Sequence, residues 1–281
     1  MPETFIQIFE EALRVKNSIL CVGLDPALPQ QRESNVIPSK YLDRDDENEA
    51  RLKFCLELLD ETASFCVAAK PNEQYLRGFT TNQHRKLTDS IRKRGLLSIY
   101  DCKLGDIRDT AESALFYYHK WGYDAITFNP FPGNIAEVVR IAHSYDPQIG
   151  IIVLTLMSNP EAETFMKNAT IARTPVYLRI ASDVKKHGAD GCVVGATGHV
   201  TEKNIVSIRK RAGSDKVILV PGIGAQKGDP EKVVKAGGQN ILINVGRDII
   251  YSDNPRKKAE EYCRLFNEIR NKQKKKPDSV T

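Results

Sequence analysis

The sequence predicts a single-domain (β/α)8, or TIM, barrel. Three observations point to it. Eight short apolar runs rich in Val, Ile and Leu recur along the 281 residues. Segments with helical spacing alternate with those runs. Polar residues gather where the runs end, on the side where a barrel opens its mouth. Runs this apolar suit strands covered on both faces, as in a parallel sheet. A doubly wound sheet is the alternative fold. No linker or shift in composition divides the chain.

The elements follow in order. Met1–Lys16 carries Glu3, Glu10 and Glu11 and has no continuous apolar stretch, so it reads as an N-terminal helix and not as a secretory signal. The first strand, Ile19–Leu24, ends in Asp25-Pro26, and a long insertion, Pro26–Glu47, follows. Glu49–Glu61 places Leu52, Cys55, Leu56 and Leu59 at helical spacing. The second strand, Phe65–Ala69, leads into Lys70-Pro71-Asn72. The helix Asn82–Lys93 ends in basic residues with Gly95 beyond it, a stop signal. The third strand, Leu97–Tyr100, leads into Asp101-Cys102-Lys103. Ala111–Trp121 is helical, Ala125–Phe128 is the fourth strand, and Ile135–Ser144 is helical. The fifth strand, Gly150–Thr155, opens a long connection, Leu156–Thr174, in which polar Ser158 and Asn159 come first. Long connections on the mouth side of a barrel often carry function. The helix Val176–Lys186 precedes the sixth strand, Cys192–Val194, and Thr201–Arg211 precedes the seventh, Val217–Val220. Pro221-Gly222-Ile223-Gly224-Ala225-Gln226 and the helix Pro230–Ala236 come next. The eighth strand, Ile241–Val245, leads to Gly246-Arg247. The helix Pro255–Arg270 closes the domain, and residues 271–281 read as a flexible basic tail.

Composition narrows the function classes. Hydrophobic residues make up 41% and charged ones 27%, ordinary for a globular protein, and no run approaches the ~20 apolar residues that span a bilayer. Much of the net charge of +5 lies in Arg270, Lys272, Lys274, Lys275 and Lys276, which reads as a solvated tail and not as a nucleic-acid site. The six cysteines form no close pairs of the zinc or redox kind. They read as free thiols of a protein kept in the reducing cytoplasm. The five histidines share no ligand spacing, so no metal site is expected, and the four in or near helices read as surface or interface residues.

The chemistry concentrates in Asp101-Cys102-Lys103-Leu104-Gly105-Asp106-Ile107-Arg108-Asp109-Thr110. A strand alternates its faces, so Asp101 and Lys103 point the same way. Alternating charge at the C-terminal edge of a strand is expensive to bury and needs a reason. Asp25, Lys70, Ser158, Gln226 and Arg247 also follow strands and would share that rim. Gly222, Gly224 and Gly246 let backbone amides approach an anion closely, and the guanidinium fork of Arg247 matches phosphate oxygens.

Asp101-x-Lys103-x-x-Asp106-Ile107-x-x-Thr110 resembles the signature of the orotidine 5′-phosphate decarboxylase family. Asp25, Lys70-Pro71-Asn72, Ser158, Gln226 and Arg247 agree with it. Lys103-Leu-Gly-Asp106-Ile and Val193-Val194-Gly195-Ala196-Thr197 look most like its longer bacterial subgroup. The resemblance spans roughly residues 19–249. It implies decarboxylation of orotidine 5′-monophosphate to uridine 5′-monophosphate, without metal or organic cofactor. It also implies a homodimer with shared sites, Asp106 and Thr110 entering the partner's site. The expected catalytic set is Lys103, Asp101, Lys70 and Asp106. The expected substrate contacts are Asp25, Asn72 and Thr110, with Ser158 on the pyrimidine edge and Gln226, Gly246 and Arg247 at the phosphate. Neither nucleic acid nor membrane is expected as a partner.

Two other readings compete. A magnesium-dependent sugar-phosphate lyase of the same barrel group would carry an acidic ligand where Lys70 stands. A non-catalytic nucleotide-binding barrel would have no need of the intact Lys70, Asp101, Lys103 and Asp106.

Overall fold

The computed structural model describes residues 3–42, 46–224 and 228–274. Eight parallel strands close into a barrel in sequential order. They are β1 (Leu20–Leu24), β2 (Ala68–Pro71), β3 (Leu97–Leu104), β4 (Ala125–Phe128), β5 (Gly150–Leu156), β6 (Gly191–Val194), β7 (Val217–Pro221) and β8 (Ile241–Val245). Helices run between them on the outside, so each strand is buried on both faces, as the apolar runs require.

The barrel interior is graded from one end to the other. Cys21, Ala68, Ile99, Ala125, Ile152, Val193, Leu219 and Leu242 point inward and pack in one apolar cluster. The N-terminal helix Phe5–Lys16, started by a Thr4–Gln7 capping box, inserts Phe5 and Phe9 into the same cluster. Gly150, the first residue of β5, leaves room for it, since a Cβ there would stand 2.4 Å from the Phe5 ring. The bottom of the barrel is thus closed by aromatic side chains. Two residues further along each strand, the inward positions are Gly23, Lys70, Asp101, Thr127, Leu154, Gly195, Pro221 and Asn244. Four of these are polar, and they sit in β2, β3, β4 and β8, so polarity is confined to one sector of the mouth.

Several boundaries differ from the sequence expectation. β3 does not stop at Tyr100 but continues through Leu104. Its pairing with β4 slips there: Tyr100 stands opposite Ile126, and Leu104 opposite Phe128. Three residues of β3 therefore face the single residue Thr127, and Lys103 takes a left-handed φ of 52° within this bulge. The connection after β5 is no bare loop; it forms a helical turn over Pro160–Asn168 and a two-stranded hairpin, Thr170–Ile171 with Thr174–Pro175. The insertion after β1 packs down: Ile37 and Tyr41 are buried, and Tyr41 meets the Phe54 ring edge-on. The last helix, Pro255–Lys274, takes in the first four residues of the stretch expected as tail, and residues 275–281 lie outside the described residues. Among the described residues no helix is long and apolar enough to cross a membrane.

Candidate active site

Asp101 organises the mouth. Its Oδ2 accepts a 2.5 Å hydrogen bond from Lys70 Nζ and its Oδ1 accepts one of 2.6 Å from Lys103 Nζ. The Thr127 hydroxyl donates to the same Oδ1 at 3.0 Å. Lys70 is 5% exposed and sits on β2, directly opposite Gly23 of β1 in the register. Lys103 is exposed, and its ammonium is the charge of this group that solvent or a ligand can reach.

The electrostatics follow from packing. Burial alone would strip Lys70 of its proton, but the carboxylates of Asp101 and Asp25 outweigh it and raise its affinity for the proton. Burial likewise works against the Asp101 anion, and the two lysines overcome it, holding the carboxyl well below the usual carboxylate range. Both groups are charged at neutral pH. Asp25 beside Lys70 and Lys103 beside Asp101 extend the pair into an alternating row, which offsets the desolvation of Lys70 and Asp101.

The remaining expected residues take distinct places. Asp25 lies at the end of β1 with Oδ2 against Gly246, where a Cβ would come within 3.3 Å, and its Oδ1 is buried without a hydrogen-bond partner. Asn72 caps the short helix Glu73–Leu76, its Oδ1 accepting from Gln74 N at 3.1 Å, and so offers a ligand its amide NH2 group. Its backbone bridges to Asp101. Ser158 is pressed by the loop after β6: a Cβ on Gly195 would stand 2.7 Å from the Ser158 Cβ, and one on Gly198 2.8 Å from its carbonyl oxygen.

Gly222 has φ +97°, a backbone conformation that suits glycine, and Arg247 stands exposed at the start of the helix Arg247–Ile250. A Cβ on Gly224 would strike Val245 and Asp248 beside that arginine, so the missing side chain also serves packing. Gln226 lies outside the described residues. Asp106 and Thr110 are exposed and do not join the Lys70–Asp101–Lys103 group within the chain. The Asp106 carboxylate accepts a 2.8 Å bond from its neighbour Ile107 N.

Two residues of the mouth escaped the sequence reading. Thr127 bonds Asp101, and Asn244, only 8% exposed, has a buried Oδ1 without a partner beside Gly23. Each is a polar residue at an inward position of an otherwise apolar strand, which is the signal that could have found it. The surface reading of the histidines also needs correction for His84. Trp121 stacks on it at 4.0 Å, Tyr123 bonds its Nδ1 at 3.0 Å, and its seat is the buried space under the helix Thr81–Lys93.

A barrel mouth with lysines interleaved among carboxylates, next to glycine-bearing loops and an arginine, defines an enzyme that stabilises negative charge on an anionic substrate. Residues 18–262 match the orotidine 5′-phosphate decarboxylase / HUMPS family, and the chain belongs to it. It is 34% identical over 265 residues to an orotidine 5′-phosphate decarboxylase of Bordetella avium, covering 88% of this chain and 90% of that one. A relative of the same name from Roseiflexus is 34% identical over 260 residues, covering 89% and 90%. Among solved structures, Leishmania donovani OMP decarboxylase superposes with a TM-score of 0.78 at 26% identity, covering 96% of this chain and all of that one. The chain also covers 56% of the longer Leishmania donovani UMP synthase, with 95% of its own length, 29% identity and a TM-score of 0.77.

Proposed function

We infer that the mouth decarboxylates orotidine 5′-monophosphate to uridine 5′-monophosphate and carbon dioxide, the last step of pyrimidine nucleotide synthesis. The observation that carries the reading is the Asp101 carboxylate, 13% exposed, shared between Lys70 and Lys103. Loss of carbon dioxide leaves an electron pair on ring carbon six, in the plane of the ring. That pair cannot spread into the carbonyl π system, so the protein must meet it with fixed charge and then supply a proton. Lys103 is the ammonium placed for both tasks: it is accessible, and it is held by one carboxylate oxygen. Proton transfer from Nζ to carbon six converts the carbanion to product and leaves a neutral amine that solvent reprotonates. Lys70 stays buried, keeps Asp101 ionised and fixes its orientation.

Asp25 is the acceptor for a ribose hydroxyl, since its buried Oδ1 has no protein partner. Asn72 donates to the same side of the nucleotide, Ser158 reads the pyrimidine edge, and Gln226, Gly246 and Arg247 hold the phosphate. Phosphate binding far from the reacting carbon can then serve the transition state. The buried ammonium of Lys70 occupies the place where a magnesium-dependent relative would need an acidic ligand, which favours decarboxylation over the sugar-phosphate reading.

The chain acts as a homodimer in which Asp106 and Thr110 complete the partner's mouth. In support, residues 105–110 are exposed. The Asn134 amide ties the Asp106 carbonyl to the loop after β4, which carries Phe131 at 92% exposure. An apolar groove of about 600 Å³ follows, with Phe165, Met166 and Ile171 in its wall. Apolar surface of this kind beside a mouth is what a partner covers. The free cysteines, five of them buried, suit the reducing cytoplasm. The test is to incubate the purified chain with orotidine 5′-monophosphate in the presence of a chelator and follow the change in ultraviolet absorbance. Conversion to uridine 5′-monophosphate is expected; turnover only with added magnesium would overturn the reading.

A further inference from the structure

Thr127 holds an unusual place in the barrel. It is the one residue of β4 that faces the three bulged residues Asp101, Cys102 and Lys103, because pairing resumes only at Leu104 and Phe128. A bulge removes ladder hydrogen bonds, and the freed backbone groups need other partners. The Thr127 hydroxyl supplies one. Its Oγ1 accepts the Lys103 backbone N–H at 2.9 Å and donates its own proton to Asp101 Oδ1 at 3.0 Å. The direction is fixed: a backbone N–H only donates and an ionised carboxylate only accepts, so one hydroxyl serves both bonds. The side chain is 1% exposed, which leaves no water to take over either bond.

We propose that Thr127 is a positioning residue for the decarboxylation. It pins Lys103 in its left-handed conformation from the main-chain side while aiming the Asp101 oxygen that holds the Lys103 ammonium. Backbone and side chain of the proton donor are thus tied through one hydroxyl. Left-handed φ is disfavoured for a lysine and persists only where surrounding bonds over-determine it. Without the hydroxyl the Lys103 N–H is orphaned, the bulge relaxes, and the ammonium leaves the line to ring carbon six. Small displacements of this kind lower the chemical step more than they lower binding. The inference rests on Lys103 as the reacting ammonium.

The experiment compares Thr127→Val, which keeps the shape and loses the hydroxyl, with Thr127→Ser, which keeps the hydroxyl. Lys103→Ala and thermal midpoints are measured alongside. Thr127→Val is expected to lower kcat by about 10- to 100-fold, the worth of a hydrogen bond to a charged group. KM should move less than about threefold, and Thr127→Ser should restore kcat to within about threefold. If Val does not fold, the Ala and Ser variants give the same comparison. A Thr127→Val enzyme with unchanged kcat, or a serine variant as slow as the valine one, overturns the proposal. Turnover surviving in Lys103→Ala marks the failure of the underlying reading instead, whatever Thr127 does.

Discussion

At the residue scale, a buried carboxylate with two ammonium partners is a stable arrangement only while all three stay charged. Removing Lys70 leaves Asp101 short of one partner, and breaking a buried pair is destabilising by roughly 3–5 kcal/mol. Lys70→Ala is therefore expected to lose both turnover and stability, which kinetics and thermal melting together report. The alternation of charge in Asp101-x-Lys103 was plain in the sequence. The means by which the two side chains converge was not, since simple strand alternation predicts a shared face and the structure uses a bulge with a left-handed lysine. Bulges depend on the register of two strands distant in sequence, and a local pattern cannot announce them.

His84 gives a second prediction at this scale. Burial holds its pKa down at about 4, against 6.5 for the free side chain. The unfolded chain thus binds the proton more readily than the folded one. The stability this contributes is present in full above about pH 6.5 and is lost as pH falls through about 4. The loss across that window is about 3 kcal/mol. Denaturant melts at pH 7 and pH 4.5 should show it, and His84→Phe should flatten the dependence. That the histidine is buried was hidden because the covering ring, Trp121, lies 37 positions away at the end of the next helix in the chain.

At the element scale, the strands were legible because each is a short run covered on both faces, and the helices because their stop signals are local. Gly122 and Gly188 both end helices in the left-handed conformation. The function of the first helix was not legible. Its two phenylalanines close the barrel floor, a contact only the closed sheet creates. Phe5→Ala is expected to destabilise the fold by ~3–5 kcal/mol through the cavity left behind. It should leave kcat near normal below the melting temperature, since the mouth lies at the other end. On the mouth side, the helix Arg247–Ile250 begins on the arginine proposed for the phosphate. Arg247→Ala should raise KM at least tenfold and shift the thermal midpoint little, because the side chain is exposed.

At the scale of the whole molecule, the chain on its own leaves Asp106 and Thr110 outside the charge cluster. A second subunit completes the alternation if it brings its Asp106 toward Lys103. Mixing Lys103→Ala subunits with Asp106→Ala subunits, each inactive alone, should then recover activity in hybrid dimers that carry one intact mouth. Sedimentation should show the dimer in both parents. The proposed dimer contact left no readable stripe in the sequence. The exposed Phe131 and Phe165 line one groove only once the loops after β4 and β5 are brought together by barrel closure.

Lys103 is the group proposed to receive the carbanion and protonate it. The direct measurement is single-turnover decarboxylation by Lys103→Ala with chelator present, alongside its affinity for the product nucleotide. Binding of uridine 5′-monophosphate should be retained, with Asp25 and Arg247 still in place, and turnover reduced by several orders of magnitude. A Lys103→Ala enzyme that binds the nucleotide and decarboxylates its precursor at a rate close to that of the unaltered chain would rule out that role for Lys103.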